Sequence, residues 1–329
     1  MFQRPSMRRL LMTTAVLASV FGPGAGSAPA QIYPDRPIRL VVPFPPGGST
    51  DVSARLLAQE LGRRLGQTVV AENRPGAGTM IGSEAVMRST ADGHTLLYAS
   101  SSITITPHIN RSVTFDPRRD LVPLSMFTEA PLILIANPQV PFQDLQGLLA
   151  YARANPGRLN VAYPGMGTTN HLAATLFNRS AGLDIVLVPF AGNAAGLTAL
   201  MRNDVQIAFD SLASAGGFIR EGTVRALGVT GMRRSPSLPD VPTVNESAVP
   251  GFETTFWFGL MTPVRTPAPI VDRISQEVSA IVRDPAVIER LQGMGFEASA
   301  PGAEHFASRI SADFNKWGAL VRDARIGVD

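Results

Sequence analysis

The sequence predicts an α/β protein of two lobes, each a central, mostly parallel sheet flanked by helices. Three observations lead there. Short apolar runs alternate with stretches of helical period from Ile38 onward. Two glycine- and hydroxyl-rich turns, far apart in the chain, each follow a strand-like run and open an amphipathic helix. A Pro- and Ser-rich segment at 233–250 reads as a return crossing between lobes and not as a core element.

In chain order, 38–42 is a first strand, and Val52, Leu56, Leu57, Leu61 and Leu65 form one face of a first helix. A second strand at 68–71 runs into the loop 72–78. A helix at 81–88 follows, then a strand at 95–99 that opens into Ser100-Ser101-Ser102. The strand 132–136 carries the chain into the second lobe, where helices are expected at 142–154 and 170–180. Strands there are expected at 159–162, 185–189, 205–209 and 226–230. The tail supplies three helices, 270–282, 286–294 and 304–321. The first lobe is therefore discontinuous, residues 31–131 with 252–329, and the second is the insertion 132–251. Two crossings make a hinge, and ligand sites favour such interfaces.

The two turns are Pro45-Pro46-Gly47-Gly48-Ser49-Thr50-Asp51 and Tyr163-Pro164-Gly165-Met166-Gly167-Thr168-Thr169-Asn170-His171. The first turn of a helix leaves backbone N–H groups without acceptors, and the macrodipole adds about half a positive charge there. An anion can be held at such a turn without a cationic side chain. Two such turns suggest two lobes gripping one acidic ligand.

The amino end reads as an export signal: Arg4, Arg8 and Arg9, an apolar stretch from Leu10 to Phe21, then Ala28-Pro29-Ala30 as an A-x-A cleavage site. Residues 1–30 are therefore excluded from the fold. The ordinary secretory route is expected, with Arg8-Arg9-Leu10-Leu11 as a weaker twin-arginine alternative. That segment holds three of the 29 Lys and Arg and none of the 26 Asp and Glu, leaving 26 of each. A mature chain near neutrality gives no reason to expect nucleic acid. Cysteine is absent, which excludes disulfides, a thiol nucleophile and thiolate metal sites. Lys316 is the sole lysine, so a Walker-type phosphate loop is excluded and a Schiff-base lysine has one candidate. Gly76-Ala77-Gly78-Thr79-Met80-Ile81-Gly82 puts its last glycine one place late for a dinucleotide fingerprint. No metal or cofactor is expected.

Further residues are more specific than the pattern. They include Asn73-Arg74-Pro75-Gly76-Ala77-Gly78, Val188-Pro189-Phe190-Ala191-Gly192, Ala226-Leu227-Gly228-Val229-Thr230-Gly231 and Leu238-Pro239-Asp240-Val241-Pro242-Thr243. Together with the two turns, Pro250-Gly251-Phe252-Glu253 and Trp257-Phe258-Gly259-Leu260, they closely resemble the substrate-binding proteins of tripartite tricarboxylate transporters, the Bug family. The resemblance covers nearly the whole mature chain in the right order. It implies a type II, Venus-flytrap periplasmic binding protein that closes over a small carboxylate or aromatic acid and passes it to membrane transporter subunits. One carboxyl group would be pinched between main-chain amides and ordered waters. Carried over by position, Gly47, Ser49, Thr50 and Asp51 contribute from the first lobe. Gly165, Gly167, Thr168, Thr169 and His171 contribute from the second, with Ala191, Gly192 and Asp210 as further positions. Thr168-Thr169-Asn170 departs from the smaller residues of many relatives, which bears on the water arrangement.

The distal end of the ligand is expected to meet Phe44, the 100–104 segment with Ser101, Tyr163 and Phe190. If Phe44 and Phe190 face the cleft, they favour an aromatic or otherwise flat acid. Asp51 is read as a helix cap with a secondary role at the site. His171 is read as orienting its loop or touching the ligand, with a catalytic base as the rival. Asp210 either bonds neighbouring backbone or reaches the cleft. Phe256 and Trp257 are read as packing. A monomeric, non-enzymatic, periplasmic solute receptor is expected. A receptor that docks on a membrane sensor needs the same clamp. An exported hydrolase lacks its G-x-S-x-G or H-E-x-x-H motif.

Overall fold

The computed structural model describes residues 33–299 and 302–327, so the export signal expected at 1–30 lies outside the described residues. Eleven strands are formed among the described residues. They are β1 (Ile38–Val42), β2 (Val69–Asn73), β3 (Thr95–Ser100), β4 (Leu121–Pro131), β5 (Ile133–Ala136), β6 (Asn160–Tyr163), β7 (Val186–Pro189), β8 (Ile207–Asp210), β9 (Arg225–Val229), β10 (Thr255–Pro263) and β11 (Glu297–Ala298). They build two sheets, ordered β11-β4-β10-β3-β1-β2 and β7-β6-β8-β5-β9.

Both sheets are mixed where the alternation predicts mostly parallel ones. β1 pairs in parallel with β2 and β3, and β6 with β7 and β8. The strands next to the crossings run the other way: β10 is antiparallel to β3 and β4, and β5 to β8 and β9. β4 and β10 escape the sequence reading because they are buried on both faces. Eight consecutive residues of β10, Phe256 to Pro263, are buried, so no alternation of apolar and polar residues marks the strand. The helix expected from 142 begins at Leu145, because the Asp144 carboxylate accepts the Gly147 amide at 2.7 Å and caps it there.

The core of the first sheet gathers Val41, Leu97, Ala99, Trp257, Met261 and Phe306. The Trp257 indole N–H donates to Asp313 Oδ2 at 2.7 Å, and its ring meets Phe306 edge-on at 4.9 Å. Gly259 of β10 makes room for that ring, since a Cβ there would lie 2.6 Å from Phe306. The second sheet packs Ile133, Ile135, Ala162, Leu197, Leu200 and Ala208. Each fully buried Leu or Ile removes enough apolar surface to contribute about 1.5–3 kcal/mol.

The chain passes from one sheet to the other at Leu132 and returns between Val229 and Thr255. Thr230, fully buried, joins the two crossings. Its hydroxyl accepts the Leu132 amide at 2.8 Å and donates to the Thr254 carbonyl at 2.6 Å. Its own amide donates to the Leu132 carbonyl at 2.9 Å.

Candidate functional site

Four helices begin where strands of the two sheets end. Ser49–Leu65 follows β1, Thr169–Ala181 follows β6, Asn193–Met201 follows β7 and Leu212–Arg220 follows β8. Their first turns line one cavity of about 150 Å³, through Ser49 and Thr50, Thr169 and Asn170, Asn193 and Ala194, and the capping residue Ser211. Thr168 and Ser211 cap their helices through their side chains, accepting the amides of His171 and Ser214. Gly48 and Gly192 make no side-chain cap bond, so those first-turn amides face a turn that offers them no oxygen of its own. No charged side chain is among the lining residues. Four helix starts around a wall without charged side chains favour an anion there, with the Asp51 and Asp210 carboxylates set behind the wall.

A second cavity of about 490 Å³ adjoins the first and shares Phe44, Pro45, Pro164, Thr168, Ala191 and Gly192 with it. Its further walls include Gly165 and Gly167, and the loop from Pro75 to Thr79. Gly192, at φ +109°, sits where a side chain would be strained and would point toward Pro45, its Cβ 3.9 Å away.

Of the residues expected at the site, Phe44, Ser49, Thr50, Ser101, Thr168, Thr169, Ala191 and Gly192 line the first cavity. Gly165, Gly167 and Phe190 line the second. Gly47, Asp51, Tyr163, His171 and Asp210 line neither of these two and instead hold the turns in place. The Gly47 amide is taken by Asp51 Oδ2 at 3.0 Å, while Asp51 Oδ1 accepts from Asn73 at 2.9 Å and Arg55 lies 3.0 Å away. Burial pushes the Asp51 carboxyl up, but the bonds from Arg55, Gly47 and Asn73 outweigh it and hold the group below the usual carboxylate range.

The His171 ring stacks on Tyr163, with centroids 4.6 Å apart, and its Nδ1 accepts the Gly167 amide at 3.4 Å. That geometry needs an unprotonated Nδ1, and burial pushes the imidazole pKa down to about 4. Burial also pushes the Asp210 carboxyl up to about 6, against hydrogen bonds from Ser214, the Ser211 amide and Asn193. Through Asn193 and Ser211, Asp210 fixes two of the helix starts on the cavity wall.

Residues missed from the sequence are Leu132, Asn193, Ser211, Phe256 and Phe258, all on the wall of the first cavity. Phe256 and Phe258 project to the same side of β10, and Trp257 between them turns into the core, where packing was expected. The signal available was the F-W-F run itself, whose period of two requires one aromatic face on each side of a strand. Among the described residues no cluster of His, Cys, Asp or Glu is placed to hold a metal ion, and no helix is long and apolar enough to cross a membrane.

Comparison with known proteins agrees with this geometry. Residues 53–326 match the family model described as "Tripartite tricarboxylate transporter family receptor". The chain is 34% identical over 320 residues to Protein BugT of Bordetella pertussis, covering 97% of this chain and 98% of that one. Among solved structures, R. palustris Rpa4515 with adipate superposes with a TM-score of 0.87 at 31% identity, over 90% of this chain and 100% of that one. MatC (Rpa3494) from Rhodopseudomonas palustris with bound malate superposes at 0.81 and 33% identity, over 88% of this chain and 100% of that one. Two mixed sheets, a cavity between them ringed by helix N-termini, and a match along most of the chain agree: this protein belongs to the tripartite tricarboxylate transporter receptor family, whose members include the Bug proteins.

Proposed function

We propose that this chain is a periplasmic solute receptor that captures a small carboxylate in the cavity between its two sheets and delivers it to the membrane subunits of a tripartite tricarboxylate-type transporter. The observation that carries the reading is the meeting of four helix N-termini on a cavity without a charged side chain. A carboxylate there takes charge-assisted bonds from backbone amides, each contributing about 1.5–3 kcal/mol, and a micromolar affinity needs only about 8 kcal/mol in total. The adipate and malate bound by structural relatives support a carboxylate as the ligand class.

In this reading residues 31–131 with 252–329 and residues 132–251 are the two lobes, which close about the crossings at Thr230. Residues 1–30 direct export, and the mature protein acts as a monomer without catalysis. A carboxylate held at once by helix starts of both sheets favours the form in which the two lobes stand together.

Thermal-shift screening against mono-, di- and tricarboxylates and aromatic acids tests the proposal. An acid at 100 times its Kd stabilises the fold by about 2.7 kcal/mol. Absence of a shift with every acid, or turnover of an ester or amide by the pure protein, would contradict it.

A further inference from the structure

Close to the crossings between the sheets, the cavity wall changes character. Leu132 is the first crossing residue, and Phe256 and Phe258 leave β10 just after the second, their rings 5.3 Å apart at 62°. Ser100 ends β3 and lies opposite Phe258 in the antiparallel register, so the two side chains share one face and both line the cavity. Ser100 is 4% exposed, and its hydroxyl has no hydrogen-bond partner, whereas the hydroxyl of the adjacent Ser101 is bonded to Thr169. A buried hydroxyl left unpaired is costly, and a bound ligand is the natural group to satisfy it.

We infer that this end of the cavity receives the non-carboxylate end of the ligand and that Ser100 is a specificity-determining residue. The preferred class is a monocarboxylic acid with an apolar body that bears one uncharged hydroxyl. The inference rests on the reading that the carboxylate lies at the helix N-termini. An ionised carboxylate accepts about four hydrogen bonds. A second one set against Leu132, Phe256 and Phe258 meets three apolar side chains, and the single hydrogen bond that the Ser100 hydroxyl can donate leaves it short of partners. An unsubstituted acid would leave the Ser100 oxygen unpaired. A ligand hydroxyl satisfies Ser100, and the rest of the ligand packs on the rings.

Isothermal titration of the purified protein and of Ser100→Ala tests this with two matched sets. One is benzoate, its three monohydroxy isomers and the three benzenedicarboxylates; the other is hexanoate, 6-hydroxyhexanoate and adipate. A hydroxy acid is expected to bind about tenfold more tightly than its parent, the gain of one well-made hydrogen bond. It should also bind more tightly than the matching dicarboxylate. In Ser100→Ala the preference over the parent falls to about one, while the unliganded melting temperature is equal to or above that of the wild type, since an unpaired buried hydroxyl has gone. A dicarboxylate that outbinds its hydroxy counterpart, or a preference that survives in Ser100→Ala, overturns the inference and leaves the carboxylate reading standing. Failure of every acid in both sets to bind overturns both.

Discussion

The hydroxyls of Ser101 and Thr169 lie 2.7 Å apart, a buried hydrogen bond between the residue that follows β3 in one sheet and the first helical turn after β6 in the other. The two walls of the cavity thus touch directly, beside residues that line it from both sides. Removing either hydroxyl weakens this contact between the walls by about 1 kcal/mol, the net value of one such bond. Ser101→Ala and Thr169→Val should each lower the affinity of any acid found in the screen about fivefold. The double variant should lose little more than either single one, because both remove the same contact. Titration calorimetry on the four proteins checks this; additive losses would show that the pair does not act as a unit.

Gly192 borders both cavities with φ +109°, a conformation that side chains rarely adopt. Gly192→Val should cost the unliganded fold about 1–3 kcal/mol through backbone strain. It should also raise the Kd at least tenfold by placing methyl groups where the ligand and Pro45 meet. Urea unfolding and titration report the two effects separately. A variant that binds as well as the wild type would remove this turn from the site.

His171 links stability to pH. Its folded pKa, about 4, lies below the value of 6.5 for a free imidazole, so the unfolded chain binds the proton more readily. The contribution is therefore fully present above pH 6.5 and is lost as pH falls toward 4. Against His171→Asn, which keeps an acceptor for the Gly167 amide, the wild type should lose about 3 kcal/mol of relative stability across that window. Asp210 acts in the opposite sense: its pKa is raised to about 6, so its carboxylate form favours unfolding as pH rises from 3.8 to 6. The two slopes offset each other in the wild type, and Asp210→Asn should uncover the His171 slope. Chemical unfolding of the three proteins between pH 4 and 7 measures this, and parallel curves would contradict it.

Much of this was legible in the sequence, and the remainder was hidden for identifiable reasons. β1, β3 and β5 to β9 carry apolar runs that end in turn residues, and Ser49–Leu65 shows its buried face at Leu56, Leu57, Leu61 and Leu65. The glycine and hydroxyl turns marked two of the four helix starts that ring the cavity, those at Ser49 and Thr169. β4 and β10 were invisible because burial on both faces removes the alternation that betrays a strand. Phe256 and Phe258 were missed with them, since which aromatic faces a cleft depends on a strand that had not been recognised. Gly47 and Asp51 belong to the first of these turns, yet a motif cannot say that one satisfies the other. Asp210 likewise shows its role only once Asn193 and Ser211 are seen to depend on it.

Thr230 sets the crossings. Thr230→Val keeps the shape and leaves the Leu132 amide and the Thr254 carbonyl without their hydroxyl partner. The expected loss of stability is about 1–3 kcal/mol, the desolvation cost of buried unpaired groups. Urea unfolding gives the number, and a variant as stable as the wild type would show that the crossings do not depend on this side chain.

The most direct test of the account is a crystal structure of the protein with an acid selected by the thermal-shift screen. The account predicts a carboxylate in the first cavity, its oxygens within about 3 Å of first-turn backbone nitrogens from both sheets, among them those of Ser49, Thr50 or Thr169. An acid bound outside that cavity, or held there by an arginine side chain instead of backbone amides, would contradict it.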